Sequence, residues 1–254
     1  EFVSVNPTGP IHVGHARGAV FGSALANVLE AAGYRVCREY YVNDSGNQIE
    51  NFSRSILARY LQSFGKDFAF PEDGYKGNYI LDIAEELKEQ ESDTFLNVNE
   101  DDAASALGVL AMKKILDQIK LDMQDLRVTY DEWFHESSLY ESGQYQQAMD
   151  LLKTGGYLDE REGALWFNND GTNKDDEQGK VLVRSNGSPT YFAADVAYHF
   201  NKFKIRGFHK VINIWGADHQ GQVPFMKSMA EALGVETDRL TLLLYQLVTL
   251  KRGG

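Results

Sequence analysis

Pro7, Gly9 and Pro10 fall within four residues of one another and cannot all be accommodated in a regular element, so the chain must break into a loop there. Residues 1–6 before the break read as a β-strand, and the apolar and small-residue periodicity after it predicts a helix over 12–32, closed by Gly33. The segment is therefore strand, loop, helix, with His12, Gly14 and His15 in the first helical turn. A helix mouth presents unpaired N–H groups and the positive end of the dipole, which favour an anion such as a phosphate. Two histidines so spaced also suit an ordinary polar edge or part of a metal site. The others, His135, His199, His209 and His219, are scattered singly and supply no zinc-like spacing, so no metal site is expected. Gly14, Gly18 and Gly22 recur every four residues and bare one helix face, either for a ligand or sheet to approach the backbone or for tight packing.

The pattern continues with a strand over 35–43 and a helix over 48–63, giving a β-α-β-α half of a nucleotide-binding sheet in residues 1–63. A Phe/Gly/Pro loop over 65–77 and two helical patterns, 79–90 and 101–125, make residues 64–127 a helical insertion. Residues 128–133 read as a return strand. A short helix over 144–153 and two β-like runs, 164–167 and 180–184, complete a β-containing insertion in residues 128–188. The second half of the sheet, residues 189–254, holds a helix over 191–203, a strand over 211–215, a helix over 223–233 and a strand over 241–248. The expected fold is α/β, a doubly wound Rossmann-like parallel sheet with helical and β-containing insertions.

The chain's 254 residues suffice for a full core, and 43% hydrophobic with 24% charged residues is the composition of a soluble globular protein. No apolar run reaches the roughly 20 residues of a membrane span. Cys37 is the only cysteine, which excludes a disulfide framework and fits a reducing cytoplasm; it reads as a buried strand residue rather than a nucleophile. The formal charge of −12 argues against a large phosphate-binding surface on this chain. The acidic runs 159–162 and 175–177 read as solvated loops or helix faces.

Residues 6–18, Asn-Pro-Thr-Gly-Pro-Ile-His-Val-Gly-His-Ala-Arg-Gly, resemble the HIGH signature of class I aminoacyl-tRNA synthetases, and their flanks resemble the arginyl-tRNA synthetase version. Residues 39–49 (Glu-Tyr-Tyr-Val-Asn-Asp-Ser-Gly-Asn-Gln-Ile), 185–195 (Ser-Asn-Gly-Ser-Pro-Thr-Tyr-Phe-Ala-Ala-Asp) and 215–219 (Trp-Gly-Ala-Asp-His) are similar to further segments of that family, in the same order. The resemblance implies an arginine–tRNA ligase catalytic domain that activates arginine with ATP and Mg2+, forming arginyl-adenylate, and transfers arginine to the 3′ end of tRNA(Arg). It also implies a monomer without a prosthetic group. The family's amino-terminal tRNA-contacting domain, lysine-containing loop and anticodon-binding domain have no counterpart here, so the chain reads as an excised catalytic fragment, inactive or impaired by itself.

Residue by residue, the resemblance implies that His12 and His15 are catalytic, orienting donors around the phosphate, where charge builds during an in-line displacement. Gly14 would let the nucleotide lie against the helix. Gly216, Asp218 and His219, at the carboxyl end of a strand, would complete the ATP contacts, with Asp218 accepting from ribose hydroxyls; its alternative is a helix N-cap. A guanidinium calls for carboxylates. Tyr191 and Asp195, one helical turn apart, match the pair that recognises the arginine side chain, and Glu1 matches a second carboxylate. Ser4 and Asn6 match positions that hold the substrate's backbone groups, and Gln222 adds a contact. Each has a plainer alternative: Asp195 as a surface carboxylate, Tyr191 as a core aromatic, Glu1 as a consequence of where the chain starts. Ser45 and Asn47 suit helix capping or a contact with the tRNA acceptor end. Another class I synthetase or nucleotidyltransferase, and a non-catalytic synthetase-like binding module, are the rival readings; preference for an amino acid other than arginine would favour the first.

Overall fold

The computed structural model describes residues 1–168, 179–246 and 248, and divides into two compact units. The first comprises residues 1–3, 24–41 and 130–254; the second comprises 4–23 and 42–129. The acidic run 175–177 and the last residues, 249–254, lie outside the described residues. Helix α1 (Val13–Ala31) begins in the second unit and ends in the first. Its small residues Gly14, Gly18, Ala19, Gly22 and Ala26 are buried while Val20, Phe21 and Val28 are exposed, so the glycine stripe is the packed face. Gly33, at φ +92°, ends it in the left-handed conformation that only glycine adopts without cost, and the Tyr34 N–H returns to the Leu29 carbonyl.

In the first unit the short strands β1 (Glu39–Val42) and β2 (Glu132–His135) pair with one another. Phe2 donates its N–H to the Glu39 carbonyl and forms a parallel bridge with Ile214. It thereby links β1 to β6 (Val211–Gly216), which pairs in parallel with β7 (Leu240–Tyr245). The residue order across these pairings is β2, β1, Phe2, β6, β7. Parallel strands require crossovers, and these are supplied here by helices, as in a doubly wound sheet.

Phe2 is held from the side by Tyr130, whose ring stacks on it at 4.7 Å. Only Phe2 of the expected strand 1–6 makes a bridge, because Val3 and Ser4 turn the chain at φ +69° and +47°. A β-branched residue in that region is strained, and the sequence carries no sign of it. The strand expected over 35–43 is confined to β1, and the return strand expected over 128–133 starts instead at Glu132.

Helices α5 (Ser137–Glu141), α6 (Gln144–Thr154), α7 (Tyr191–Phe200) and α8 (Val223–Ala232) complete this unit. Its core joins Met149 and Leu152 of α6, Phe192, Val196 and Phe200 of α7, and Phe225, Met226 and Met229 of α8 to Val211 and Leu240 of the parallel pair. The helix expected over 191–203 passes into a π-helical turn at Asn201–Ile205. A separate antiparallel sheet contains β3 (Leu158–Arg161), β4 (Ala164–Phe167) and β5 (Lys180–Val183). Of the run 159–162, residues 159–161 are strand rather than loop or helix face, and only Glu162 lies in a loop: β3 and β4 form a hairpin whose two turn residues, Glu162 and Gly163, both have positive φ.

The second unit is helical, with α2 (Asn47–Ser63), α3 (Asn78–Glu91) and α4 (Glu100–Asp125). Phe52, Ile56 and Tyr60 of α2 and Leu107, Ala111 and Ile115 of α4 are buried at helical spacing. Gly108 lets α4 come close to α2: a Cβ there would stand 1.9 Å from the Ser53 hydroxyl. Asn99 caps α4, its side-chain oxygen accepting from the N–H groups of Asp101 and Asp102.

Candidate active site

In the second unit the Pro/Gly loop is fastened from within. Thr8 is buried, its N–H donates to the Asn6 carbonyl at 2.8 Å, and its own carbonyl accepts from the Tyr79 hydroxyl of α3 at 2.7 Å. The Asn6 side-chain amide donates to Gln48 of α2. The loop thus reaches α1 already positioned. The helix begins at Val13 rather than at residue 12, and His12 stands in the capping position with its carbonyl accepting the Ala16 N–H.

The His12 and His15 rings stack, with centroids 3.6 Å apart and planes 19° from parallel. The Gly14 N–H donates to His12 Nδ1 at 3.1 Å, and the His12 N–H donates to His15 Nδ1 at 3.2 Å. Both Nδ1 atoms are therefore acceptors, and the neutral rings carry their protons on Nε2. Burial, then the neighbouring His12, holds His15 down to about 4, so it is neutral at physiological pH. A Cβ on Gly14 would stand 2.9 Å from the His12 ring, so the glycine makes room for the histidine itself. The result is a pair of oriented N–H donors beside a helix N-terminus, an arrangement suited to phosphate oxygens.

In the first unit a buried polar network surrounds α7. Thr190, before the helix, donates its hydroxyl to the Val181 carbonyl and its N–H to the Leu182 carbonyl, fixing the start of α7 against β5. Tyr191 and Asp195 follow on one face. Tyr191 is 55% exposed, which removes the core-aromatic alternative; Phe192 is the core residue. The Asp195 carboxylate is half-buried and accepts no hydrogen bond among the described residues. Burial, then repulsion from Glu1 and Glu136, pushes it up to about 8 despite attraction from Lys202. Among the described residues no cation forms an ion pair or hydrogen bond with this carboxylate.

Glu1 has one. Its Oε2 lies 2.6 Å from Lys202 Nζ, with both side chains under 10% exposed (8% and 4%). Burial is the largest influence and opposes the charge on Glu1, but attraction to Lys202, its hydrogen bond and the weaker pull of other nearby charges together hold the carboxyl down to about 2. The Lys202 ammonium also donates to Asn213 Oδ1 at 3.2 Å and sits 3.7 Å from the centre of the Tyr198 ring. Asn213 Nδ2 meets His199 Nε2 at 2.8 Å, and His199 Nδ1 meets the Asp195 carbonyl at 2.8 Å. The carbonyl can only accept, so His199 donates from Nδ1 and accepts at Nε2. Burial, then Lys202, drives the imidazole down to about 3. Beside this chain, Glu39 accepts from the Tyr198 hydroxyl and from both terminal nitrogens of Arg206, and the Tyr41 hydroxyl donates to Glu136 at 2.6 Å.

At the carboxyl end of β6, Gly216 leads into a 3-10 turn over Ala217–Gln222. A Cβ on Gly216 would stand 2.3 Å from Asp218 Oδ1, so the glycine lets this carboxylate fold back over the strand end. Asp218 is exposed, 3.7 Å from His219 Nε2. It does not cap the following helix, whose N-cap is Gln222. Among the described residues no group of three or more His, Cys, Asp or Glu is placed to hold a metal ion.

The second unit thus carries a backbone-supported histidine pair at a helix mouth, and the first a carboxylate on α7 that no described residue pairs. The profile of tRNA synthetases class I (R), catalytic domain, matches residues 1–234. The chain belongs to that family. It is 54% identical over its full 254 residues to the arginine–tRNA ligase of Dehalococcoides mccartyi strain CBDB1 and 51% identical to that of Carboxydothermus hydrogenoformans, in each case spanning 45% of the relative's length. A Campylobacter jejuni crystal structure assigned as an arginyl-tRNA synthetase superposes with TM-score 0.86 at 40% identity, over 97% of this chain and 53% of that one. The Thermus thermophilus arginyl-tRNA synthetase shares the fold, with TM-score 0.73 at 22% identity over 96% of this chain and 47% of that one.

In this class I (R) domain the structure joins His12, Gly14 and His15 in one hydrogen-bonded unit, and Glu1, Tyr191 and Asp195 in one electrostatic neighbourhood. Gly216, Asp218 and His219 share the strand-end turn, with Gln222 at its far end. Ser4 lies at the strained turn and Asn6 at its side-chain bond with Gln48. Sequence reasoning missed Lys202, His199, Asn213 and Glu136. A signal for two of them was present: Tyr191, Asp195, His199 and Lys202 recur at spacings of four, four and three, a polar stripe on an otherwise apolar helix. Cys37 is half-buried, and burial, then Glu39 and Asp131, pushes its thiol up, which disfavours a nucleophile.

Proposed function

We propose that this chain carries the arginine-activating chemistry of an arginine–tRNA ligase: ATP and arginine react to arginyl-adenylate and pyrophosphate, and the arginyl group then passes to the 3′ end of tRNA(Arg). The observation that carries the reading is Asp195, a half-buried carboxylate that no described residue pairs, flanked by further carboxylates and by the exposed Tyr191. A guanidinium is planar and permanently charged, and it would supply the missing cation through directed hydrogen bonds. Tyr191 would cover it.

On the nucleotide side, His12 and His15 act as neutral Nε2–H donors to phosphate oxygens, where negative charge grows as the arginine carboxylate attacks the α-phosphorus and pyrophosphate departs. Their backbone bonds fix the ring orientation before substrate arrives, so little reorganisation accompanies the charge build-up. Gly14 supports this by accommodating the His12 ring. Asp218, folded over Gly216, is set to accept from ribose hydroxyls, with His219 beside it. Ser4 and Asn6 would hold the amino acid's backbone groups, and Gln222 would add a polar contact. Mg2+ belongs to the nucleotide in this reading and no step is routed through it.

Isothermal titration of the chain with arginine, lysine, cysteine and ATP tests the proposal. Arginine binding that disappears in Asp195→Ala, with lysine and cysteine not bound, is the expected result. Preference for another amino acid, or ATP binding with no amino-acid binding, would refute it.

A further inference from the structure

The contacts around Lys202 assign it a task that the matching of motifs does not. Lys202 sits in the π-helical turn after α7, buried, with three partners at once: Glu1, Asn213 and the face of Tyr198. An ammonium has donors only, so it sets the direction of everything attached to it. Asn213 must turn its oxygen to Lys202 and its amide to His199; His199 must then donate onward to the Asp195 carbonyl. The chain of bonds runs from the one carboxylate, Glu1, to the residue that bears the other, Asp195.

We propose that Lys202 is a positioning residue of the amino-acid pocket: it neutralises Glu1 from within the fold and holds the Asn213–His199 relay, so that Asp195 is left to pair with an incoming monocationic side chain. The proposal rests on the arginine reading and sharpens it. A pocket with both carboxylates unpaired would carry more negative charge than one guanidinium can balance, and burial would force one of them to keep a proton. With Glu1 satisfied internally, binding needs only Asp195 to ionise.

Among the described residues, Asp195 faces Glu1, Glu136, Lys202, Tyr191 and Tyr41, and Glu1 faces Lys202, His199, Tyr198, Tyr41 and Asp195 itself. Lys202 is the cation common to both. Its removal therefore raises the affinity of both carboxylates for protons, whereas loss of mere packing would not.

The experiment is a pH series of arginine titration calorimetry from 6.5 to 9.5 on the chain and on Lys202→Met, Lys202→Arg and the double variant Glu1→Gln/Lys202→Met, with carbon-13 NMR titration of the Asp195 carboxyl in each ligand-free protein. In the unaltered chain affinity rises by up to about tenfold per pH unit and levels off once Asp195 is ionised. Lys202→Met moves the levelling point and the Asp195 midpoint up by about one pH unit or more, and weakens binding at pH 7 by about tenfold or more. Lys202→Arg keeps the original profile. The double variant, which removes both members of the buried pair and so avoids an uncompensated charge, returns the Asp195 midpoint toward the original. An Asp195 midpoint that stays put in Lys202→Met, or a loss of affinity equal at every pH, overturns the proposal while leaving the arginine reading intact. Failure of the unaltered chain to bind arginine at any pH overturns both.

Discussion

His12 and His15 stack face to face, and each Nδ1 accepts a backbone N–H, so both rings present Nε2 as the free donor edge. Such donors act on charge that develops during reaction, more than on the bound substrate. In a full-length arginine–tRNA ligase containing this domain, His15→Ala is expected to lower the turnover of arginine-dependent pyrophosphate exchange by about 100-fold or more, with the arginine dissociation constant changed less than threefold. Equal losses in turnover and arginine affinity would reduce the histidines to substrate-binding groups.

Asp195 links function to a stability cost. Its folded pKa, about 8, lies above the ordinary 3.8, so the folded state holds its proton more tightly than the unfolded state. The contribution is fully present below about pH 4 and is lost as pH rises through 8. Asp195→Asn keeps the shape and removes the titration. In urea unfolding it is expected to be more stable than the parent by ~3–5 kcal/mol at pH 9, with the gap shrinking toward pH 5, while arginine binding is lost. A gap independent of pH would show that burial of this charge is not what strains the fold.

His199 titrates with the opposite sign. Burial and Lys202 hold its folded pKa at about 3, below the ordinary 6.5, so protonation favours unfolding. Its contribution is complete above about pH 6.5 and is lost as pH falls toward 3. His199→Gln is expected to unfold at lower urea concentration than the parent at pH 7, because the relay is broken, and to lose less stability than the parent between pH 6.5 and 4. Parallel pH profiles for the two proteins would contradict a neutral, Nδ1-protonated His199.

Much of this architecture was legible in the sequence because helices advertise themselves over many residues. The bounds of α2, α4 and α6 follow from apolar spacing, and Gly33 marks the end of α1. Short strands advertise little: β3 is written in charged residues, and its hairpin turns on Glu162-Gly163, which lacks an Asn-Gly or Asp-Gly signature. Val3 is left-handed although a β-branched residue is among the worst choices there, so local preference pointed the wrong way. Of the candidate site, the motif-bearing residues were readable and the relay was not. His199 and Asn213 are far apart in sequence from Glu1, and the pairing of residues 1–2 with β6, where the Ile214 N–H donates to the Glu1 carbonyl, brings Glu1 beside Asn213's strand.

Gly216 offers a test in which stability and function separate. The atom nearest a new Cβ is the mobile end of Asp218, 2.3 Å away, and the glycine's φ of −64° suits any residue. Gly216→Ala should therefore fold with less than about 1 kcal/mol change, since a flexible exposed carboxylate can swing aside. The swing takes Asp218 off the strand end, where it would meet ribose hydroxyls. Calorimetry should show ATP binding weakened by about tenfold, the size expected for a hydrogen bond to a charged group, and 2′,3′-dideoxy-ATP should bind the parent and the variant alike. If Gly216→Ala weakens both nucleotides equally, the glycine instead admits the nucleotide's base or phosphates to the backbone, and Asp218 has no part in reading the ribose.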